Sequence, residues 1–168
     1  MKKAILFSVF LLISVFGFSQ MKPAKMLPPD VEKNIKIKAP ADVVWEYLLQ
    51  FDNIKNFGSE IIEKSVTIGQ GRDAVRYLTF KNGTKRTEEF AIIAPNVRKL
   101  GIKVLDEEIT FSRKFYYFEI EKTGASKCVV SMKAYYALHN ENQKKKIDRI
   151  ILAEFRTLLE GLKSNFEN

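Results

Sequence analysis

The chain has 168 residues, with 28 Lys and Arg against 20 Asp and Glu, a formal net charge of +8, one His and one Cys. A single His excludes a metal site built on two or more imidazoles, and a single Cys excludes an intrachain disulfide, so the domain must stand on an apolar core. The acids are mixed among the bases, the pattern of a solvated surface rather than of a nucleic-acid-binding stripe.

Lys2 and Lys3 precede Ala4–Phe18, a run without a charge. That run is shorter than the roughly 20 residues that span a bilayer. Gly17 and Ser19 put small residues at −3 and −1 of a cut after Ser19, the layout of a secretory signal peptide. Residues 1–19 are therefore expected to be removed, leaving an exported, periplasmic protein. Loss of Lys2 and Lys3 lowers the net charge from +8 to +6. A membrane anchor, or a start at Met21 and a cytoplasmic protein, are the alternatives. Residues 20–32 contain Pro23, Pro28 and Pro29 without periodicity and read as a linker, followed by one domain over 33–166.

Ile35 and Ile37 alternate with Lys36 and Lys38 as a short strand. Pro40 opens a helix at Ala41-Asp42 that runs to Gln50 and buries Val44, Tyr47 and Leu48, with Trp45 beside them. Phe51–Phe57 reads as a second short helix stopped by Gly58. The period then switches to two, with strands over Ile61–Ile68, Arg72–Phe80, Thr84–Ile93, Val97–Leu105, Arg113–Glu121 and Lys127–Leu138. Gly69-Gln70-Gly71, Asn82-Gly83, Ala94-Pro95-Asn96 and Thr123-Gly124 separate them. In the last strand Cys128, Val130, Met132, Ala134, Tyr136 and Leu138 share one face. Asn140 caps a final helix, with Gln143 in a capping-box position. Its apolar stripe is Ile147, Ile150, Ile151, Phe155, Leu158, Leu159, Leu162 and Phe166. Sequential strands joined by short turns pair antiparallel. The expected fold is α+β: a curved seven-stranded antiparallel sheet around one long C-terminal helix, with two short helices after strand 1.

Several local patterns strengthen this order. They are Ile37-Lys38-Ala39-Pro40-Ala41-Asp42-Val43-Val44-Trp45, the Gly69–Gly83 stretch, Glu88-Glu89-Phe90 and Gly161-Leu162-Lys163. Together, over roughly residues 33–164, they resemble the START-like (SRPBCC) superfamily of helix-grip folds. That superfamily includes polyketide cyclases/dehydrases, lipid-transfer START domains, the birch-pollen-allergen group and the abscisic-acid receptors. The resemblance implies a cavity between sheet and helix that holds a small hydrophobic, lipid-like molecule.

Arg76 shares a strand face with Leu78 and Phe80, and Glu88 shares one with Phe90 and Ile92. A strict two-residue turn at Asn82-Gly83 would set Arg76 opposite Glu89; one more loop residue would set it opposite Glu88, the reading the resemblance favours. An Arg76–Glu88 pair could grip a carboxylate, hydroxyl or carbonyl of a ligand, or could be a cross-strand pair with no ligand role. Tyr116, Phe118, Met132 and Tyr136 are lining candidates on the sheet, with Phe155 and Leu159 facing them from the helix. A Tyr hydroxyl in such a cavity needs a partner, which a ligand could supply. Lys55 and Lys64 could reach the mouth, and Lys144-Lys145-Lys146 could make transient contact with anionic headgroups. His139, before the helix cap, reads as structural or exposed. No cofactor or metal is expected. The leading expectation is a carrier of a small hydrophobic ligand. The alternative is a polyketide cyclase/dehydrase-like enzyme acting on a hydrophobic carbonyl substrate, with Glu88, Arg76 or a Tyr as its acid or base.

Overall fold

The computed structural model describes residues 27–105 and 110–167. The expected signal peptide, its cleavage site and residues 20–26 of the expected linker lie outside the described residues. Strand β1 (Val31–Ile37) is followed by α1 (Ala41–Leu49), a 3-10 turn (Phe51–Asn53) and α2 (Ile54–Phe57). Strands β2 (Ile62–Ile68), β3 (Val75–Phe80), β4 (Lys85–Ala94), β5 (Lys99–Val104), β6 (Phe111–Gly124) and β7 (Lys127–Leu138) follow, then α3 (Lys144–Glu167). All seven strands form one antiparallel sheet in the order β1-β7-β6-β5-β4-β3-β2. The α+β class and the long C-terminal helix agree with the sequence reading.

Boundaries shift where backbone geometry overrides pattern. β1 begins at Val31, inside the expected linker, and pairs with β7 from Val31↔Ala134 to Ile37↔Cys128. Asp73 sits at φ 65°, so β3 starts only at Val75. Pro95–Val97 form a 3-10 turn ending in the left-handed Arg98, which delays β5 to Lys99. Thr123 and Gly124 stay in β6, and Ala125-Ser126 make the turn instead. Asn140 Oδ1 accepts from Asn142 N–H at 3.0 Å, capping the 3-10 turn that leads into α3.

Register breaks at Ile62/Lys64, Phe90/Ile92, Phe111/Arg113 and Lys122/Gly124 bend the sheet. The concave face buries Leu78, Phe90, Ile102, Phe118, Val130 and Met132 against Ile151, Phe155, Leu158, Leu159 and Leu162 of α3. At Gly161 the helix comes so close to α2 that a Cβ there would lie 1.9 Å from the Phe57 carbonyl oxygen. One member of the expected stripe departs: Ile150 is 54% exposed. A cleft lies between the first half of α3 and the β3–β4 hairpin, and Ile147 and Ile150 border it.

Candidate functional site

The β3–β4 hairpin sets the register on which the site depends. Gly83 N–H donates to the Phe80 carbonyl at 2.8 Å, and Gly83 adopts φ 84° while Asn82 does not go positive. Phe80 N–H then bonds the Thr84 carbonyl at 2.8 Å, closing a three-residue loop of the type I plus glycine-bulge kind. The extra residue pairs Arg76 with Glu88. Arg76 and Glu88 are only 3% and 2% exposed. Arg76 Nε lies 2.9 Å from Glu88 Oε2, and its Nη1 donates to the Phe51 carbonyl at 2.8 Å. Phe51 in turn stacks on Phe90 with ring centroids 3.4 Å apart. This pair is an internal brace of the core.

The cleft, of about 720 Å³, lies between the β3–β4 hairpin, the start of β6 and the first half of α3. That volume is in the usual range for small-molecule sites, ~300–1,000 Å³. Phe80, Phe111, Ile147 and Ile151 supply apolar walls, and Lys81 and Lys85 stand on the hairpin rim. Arg86, Lys114, Tyr116 and Glu154 converge at the inner end. Arg86 and Glu154 form a bidentate pair, Nη1 to Oε1 at 2.6 Å and Nη2 to Oε2 at 2.8 Å. Arg86 Nη1 also lies 3.4 Å from Glu88 Oε1, which links the cleft to the internal brace. Lys114, 7% exposed, holds its ammonium 4.4 Å from the Phe111 ring centroid and 5.4 Å from that of Tyr116. Burial alone would raise the Glu154 pKa, but the Arg86 charge and hydrogen bonds outweigh it, helped by Lys114 and Arg76. The Glu154 carboxyl is held below its ordinary range. Burial likewise opposes the charge on Arg86, and Glu154 more than offsets it.

Of the expected lining residues, Phe80 and Tyr116 border the cleft. Leu78, Phe90, Phe118, Met132, Phe155 and Leu159 are packed in the core with Arg76 and Glu88 and are not among its walls. The Tyr136 hydroxyl is already engaged: it bonds Asp148 and receives Lys144 Nζ at 3.1 Å. Lys144 also reaches Asp30 at 2.9 Å, so this network clasps the start of α3 to the start of β1. Lys55 and Lys64 point to solvent, as does His139.

Sequence reasoning missed Arg86, Lys114 and Glu154, although each carries a signal. Arg86 falls on the same alternating face as Glu88 and Phe90. Lys114 leads Tyr116, Phe118 and Ile120 on the buried face of β6. Glu154 sits three residues after Ile151 and four before Leu158, an acid inside the apolar stripe of α3. A second cleft, of about 520 Å³, opens beside Phe51, Asp52, Thr67 and the Gly69–Gly71 turn. Asp52 there accepts from Ser65 and Thr67 hydroxyls at 2.8 and 2.9 Å and is a fold contact. Among the described residues no group of His, Cys, Asp and Glu could hold a metal ion, and no helix is long and apolar enough to cross a membrane.

A curved antiparallel sheet gripping one long helix, with a ligand-sized cleft between them, defines a helix-grip protein. Residues 28–167 match the family described as polyketide cyclase / dehydrase and lipid transport, and the chain belongs to that family. Among solved structures, it is similar to the di-domain ARO/CYC protein BexL of the BE-7585A biosynthetic pathway. There the TM-score is 0.71 at 18% identity, over 82% of this chain and 46% of that one. A Bacillus thuringiensis protein gives 0.69 at 13% identity, over 82% and 98% of the two chains. Norcoclaurine synthase from Thalictrum flavum, solved with dopamine and hydroxybenzaldehyde, gives 0.67 at 16%, over 80% and 84%. These identities establish a shared fold. No curated protein sequence matches the chain.

Proposed function

We propose that this protein binds and carries a small hydrophobic molecule in the cleft between the β3–β4 hairpin and the first half of α3. The observation that carries the reading is the cleft of about 720 Å³ itself, with apolar walls and a small set of polar groups at one end. A cleft of that composition favours a ligand with a long apolar part and one polar end. Phe80 and Tyr116 serve as lining residues in this reading, while Arg76 and Glu88 support the site from behind through Arg86. The exposed Ile150, on the cleft side of α3, stands at its entrance. Export through the leader at residues 1–19 would place such a carrier in the periplasm, and Lys145 and Lys146, exposed on α3, could make transient contact with anionic lipid.

The family also contains cyclases and dehydrases, and an acid–base role would fall to Glu154 or Tyr116 in the cleft. Glu154, held ionised by Arg86, is poorly suited to donate a proton near neutral pH, and with a lowered pKa and both oxygens bonded to Arg86 it is a weak base. Binding without turnover is therefore the reading we adopt.

Native mass spectrometry of the protein from its own host, followed by organic extraction, tests this. The expected result is an apolar small molecule that co-purifies and is released on denaturation, and whose re-addition raises the melting temperature by mass action. No bound molecule, together with no stabilisation by any apolar ligand class, would overturn the proposal.

A further inference from the structure

We infer that Arg86 is the polar anchor of this cleft and that the ligand carries a carbonyl oxygen, seated on the Nε–H and Nη2–H edge of the Arg86 guanidinium. The inference rests on the binding role proposed above and adds the ligand's polar group and the residue that holds it. An arginine presents five N–H donors in one fixed plane. Nη1 donates to Glu154 Oε1 at 2.6 Å and to Glu88 Oε1 at 3.4 Å, and Nη2 donates once, to Glu154 Oε2 at 2.8 Å. Among the described residues no acceptor meets the other two donors, the Nε–H and the second Nη2–H. These two lie side by side and point the same way, because Glu154 occupies the Nη1–Nη2 end of the fork.

Other approaches to the guanidinium are taken. Its carbon lies 4.7 Å from the centre of the Phe80 ring and 5.3 Å from that of the Tyr116 ring. The side chain is 11% exposed and borders the cleft. Nε, without an acceptor, is still not sealed from solvent, so the open edge is reached from the cleft. Glu154 already answers the charge of Arg86 and fixes its plane, so the edge offers a preorganised pair of donors rather than an unpaired cation. Two parallel donors suit an oxygen whose lone pairs lie in one plane, as a carbonyl's do. A purely apolar ligand would cover the edge and leave both donors unmet, at a desolvation cost. The carbonyl at Arg86 directs the apolar remainder of the ligand along Phe111, Ile147 and Ile151.

Displacement of the uncharged fluorophore N-phenyl-1-naphthylamine by 2-undecanone, methyl decanoate and 2-methyl-1-undecene tests this, the alkene replacing the ketone oxygen by a methylene. The better of the two carbonyl compounds is expected to bind at least about tenfold more tightly than the alkene, as a hydrogen bond from a charged donor implies. Whichever of the two binds more tightly identifies the carbonyl as ketone or ester. In the double variant Arg86→Met with Glu154→Leu, which strands neither partner, the ratio of carbonyl to alkene affinity is expected to fall to about one. The infrared carbonyl stretch of bound 2-undecanone, isolated by 13C labelling, is expected at lower frequency than in hexane. Equal displacement by carbonyl compounds and alkene, a preference that survives in the double variant, or a carbonyl stretch at its hexane frequency would overturn the inference and leave a hydrophobic carrier standing. Displacement by none of the three would overturn the carrier reading as well. If the double variant fails to fold, the infrared frequency in the unmodified protein decides alone.

Discussion

Arg76 and Glu88 face each other across β3 and β4 as a buried ion pair, and the Arg76 guanidinium also holds the Phe51 carbonyl at 2.8 Å. One side chain thus ties the β3–β4 side of the sheet to the chain leaving α1. Breaking a buried pair on one side strands a charge in the core. Glu88→Gln is expected to destabilise by about 3–5 kcal/mol, read from urea denaturation midpoints. The double change Arg76→Met with Glu88→Leu should recover most of that loss, because it leaves no buried charge without its partner in the pair. A double variant as unstable as the single one would contradict this account of the pair.

Gly161 should resist substitution even though alanine favours helix. The gain in helix propensity is about 1 kcal/mol, but a Cβ would meet the Phe57 carbonyl oxygen at 1.9 Å. Neither backbone can yield cheaply, and overpacking of this kind costs about 1–3 kcal/mol or more. Gly161→Ala is therefore expected to lower the melting temperature, whereas Ala153→Gly, at an exposed position on the cleft side of the same helix, should cost only the propensity term.

Stability should fall at the alkaline end through the clasp on α3. Burial, then the hydrogen bond to Asp148, pushes the Tyr136 pKa from its ordinary 10 up to about 12. A group whose folded pKa is raised contributes stability that is complete below its unfolded pKa and is lost as pH rises through the folded value. Lys144, bonded to Asp30 and Tyr136, is shifted the same way despite its desolvation. Denaturation measured from pH 8 to 12 is expected to show stability dropping above pH ~10, and Tyr136→Phe should flatten part of that slope. On the acid side the lowered Glu154 and Glu119 carboxyls give the opposite sign: their contribution is present above ordinary carboxylate values and lost as pH falls through the depressed ones.

Cys128 is 1% exposed, and burial pushes its thiol above the ordinary 9. A buried, protonated thiol is a poor nucleophile. Labelling by a chromogenic disulfide reagent should be absent in the folded protein and appear at the rate of unfolding; prompt labelling in native buffer would show that β7 opens locally.

The order of elements was legible because alternation and turn residues agree along the chain. Cys128, Val130, Met132, Ala134 and Tyr136 fall on one buried face as their spacing requires. The choice between Glu88 and Glu89 was not legible, since it turns on whether the Asn82-Gly83 loop holds two residues or three, and both loops suit that dipeptide. The cleft was harder still. Alternation tells which residues point inward, but core and pocket lining obey the same alternation. Phe118 and Tyr116 have identical signals, and only the seating of α3 separates the packed one from the one at the cleft. Ile150 shows the same limit, because it falls in the stripe by spacing yet borders the cleft instead of packing on the sheet. The polar residues on buried faces, Arg86, Lys114 and Glu154, were the usable clue to the site.

The most direct test of the central claim is a crystal structure of the protein grown with dodecanoate. The account predicts the acyl chain between the β3–β4 hairpin and the first half of α3, against Phe80, Phe111, Ile147 and Ile151. An acyl chain seated instead in the cleft beside Gly69–Gly71, or on the outer face of the sheet, would contradict it.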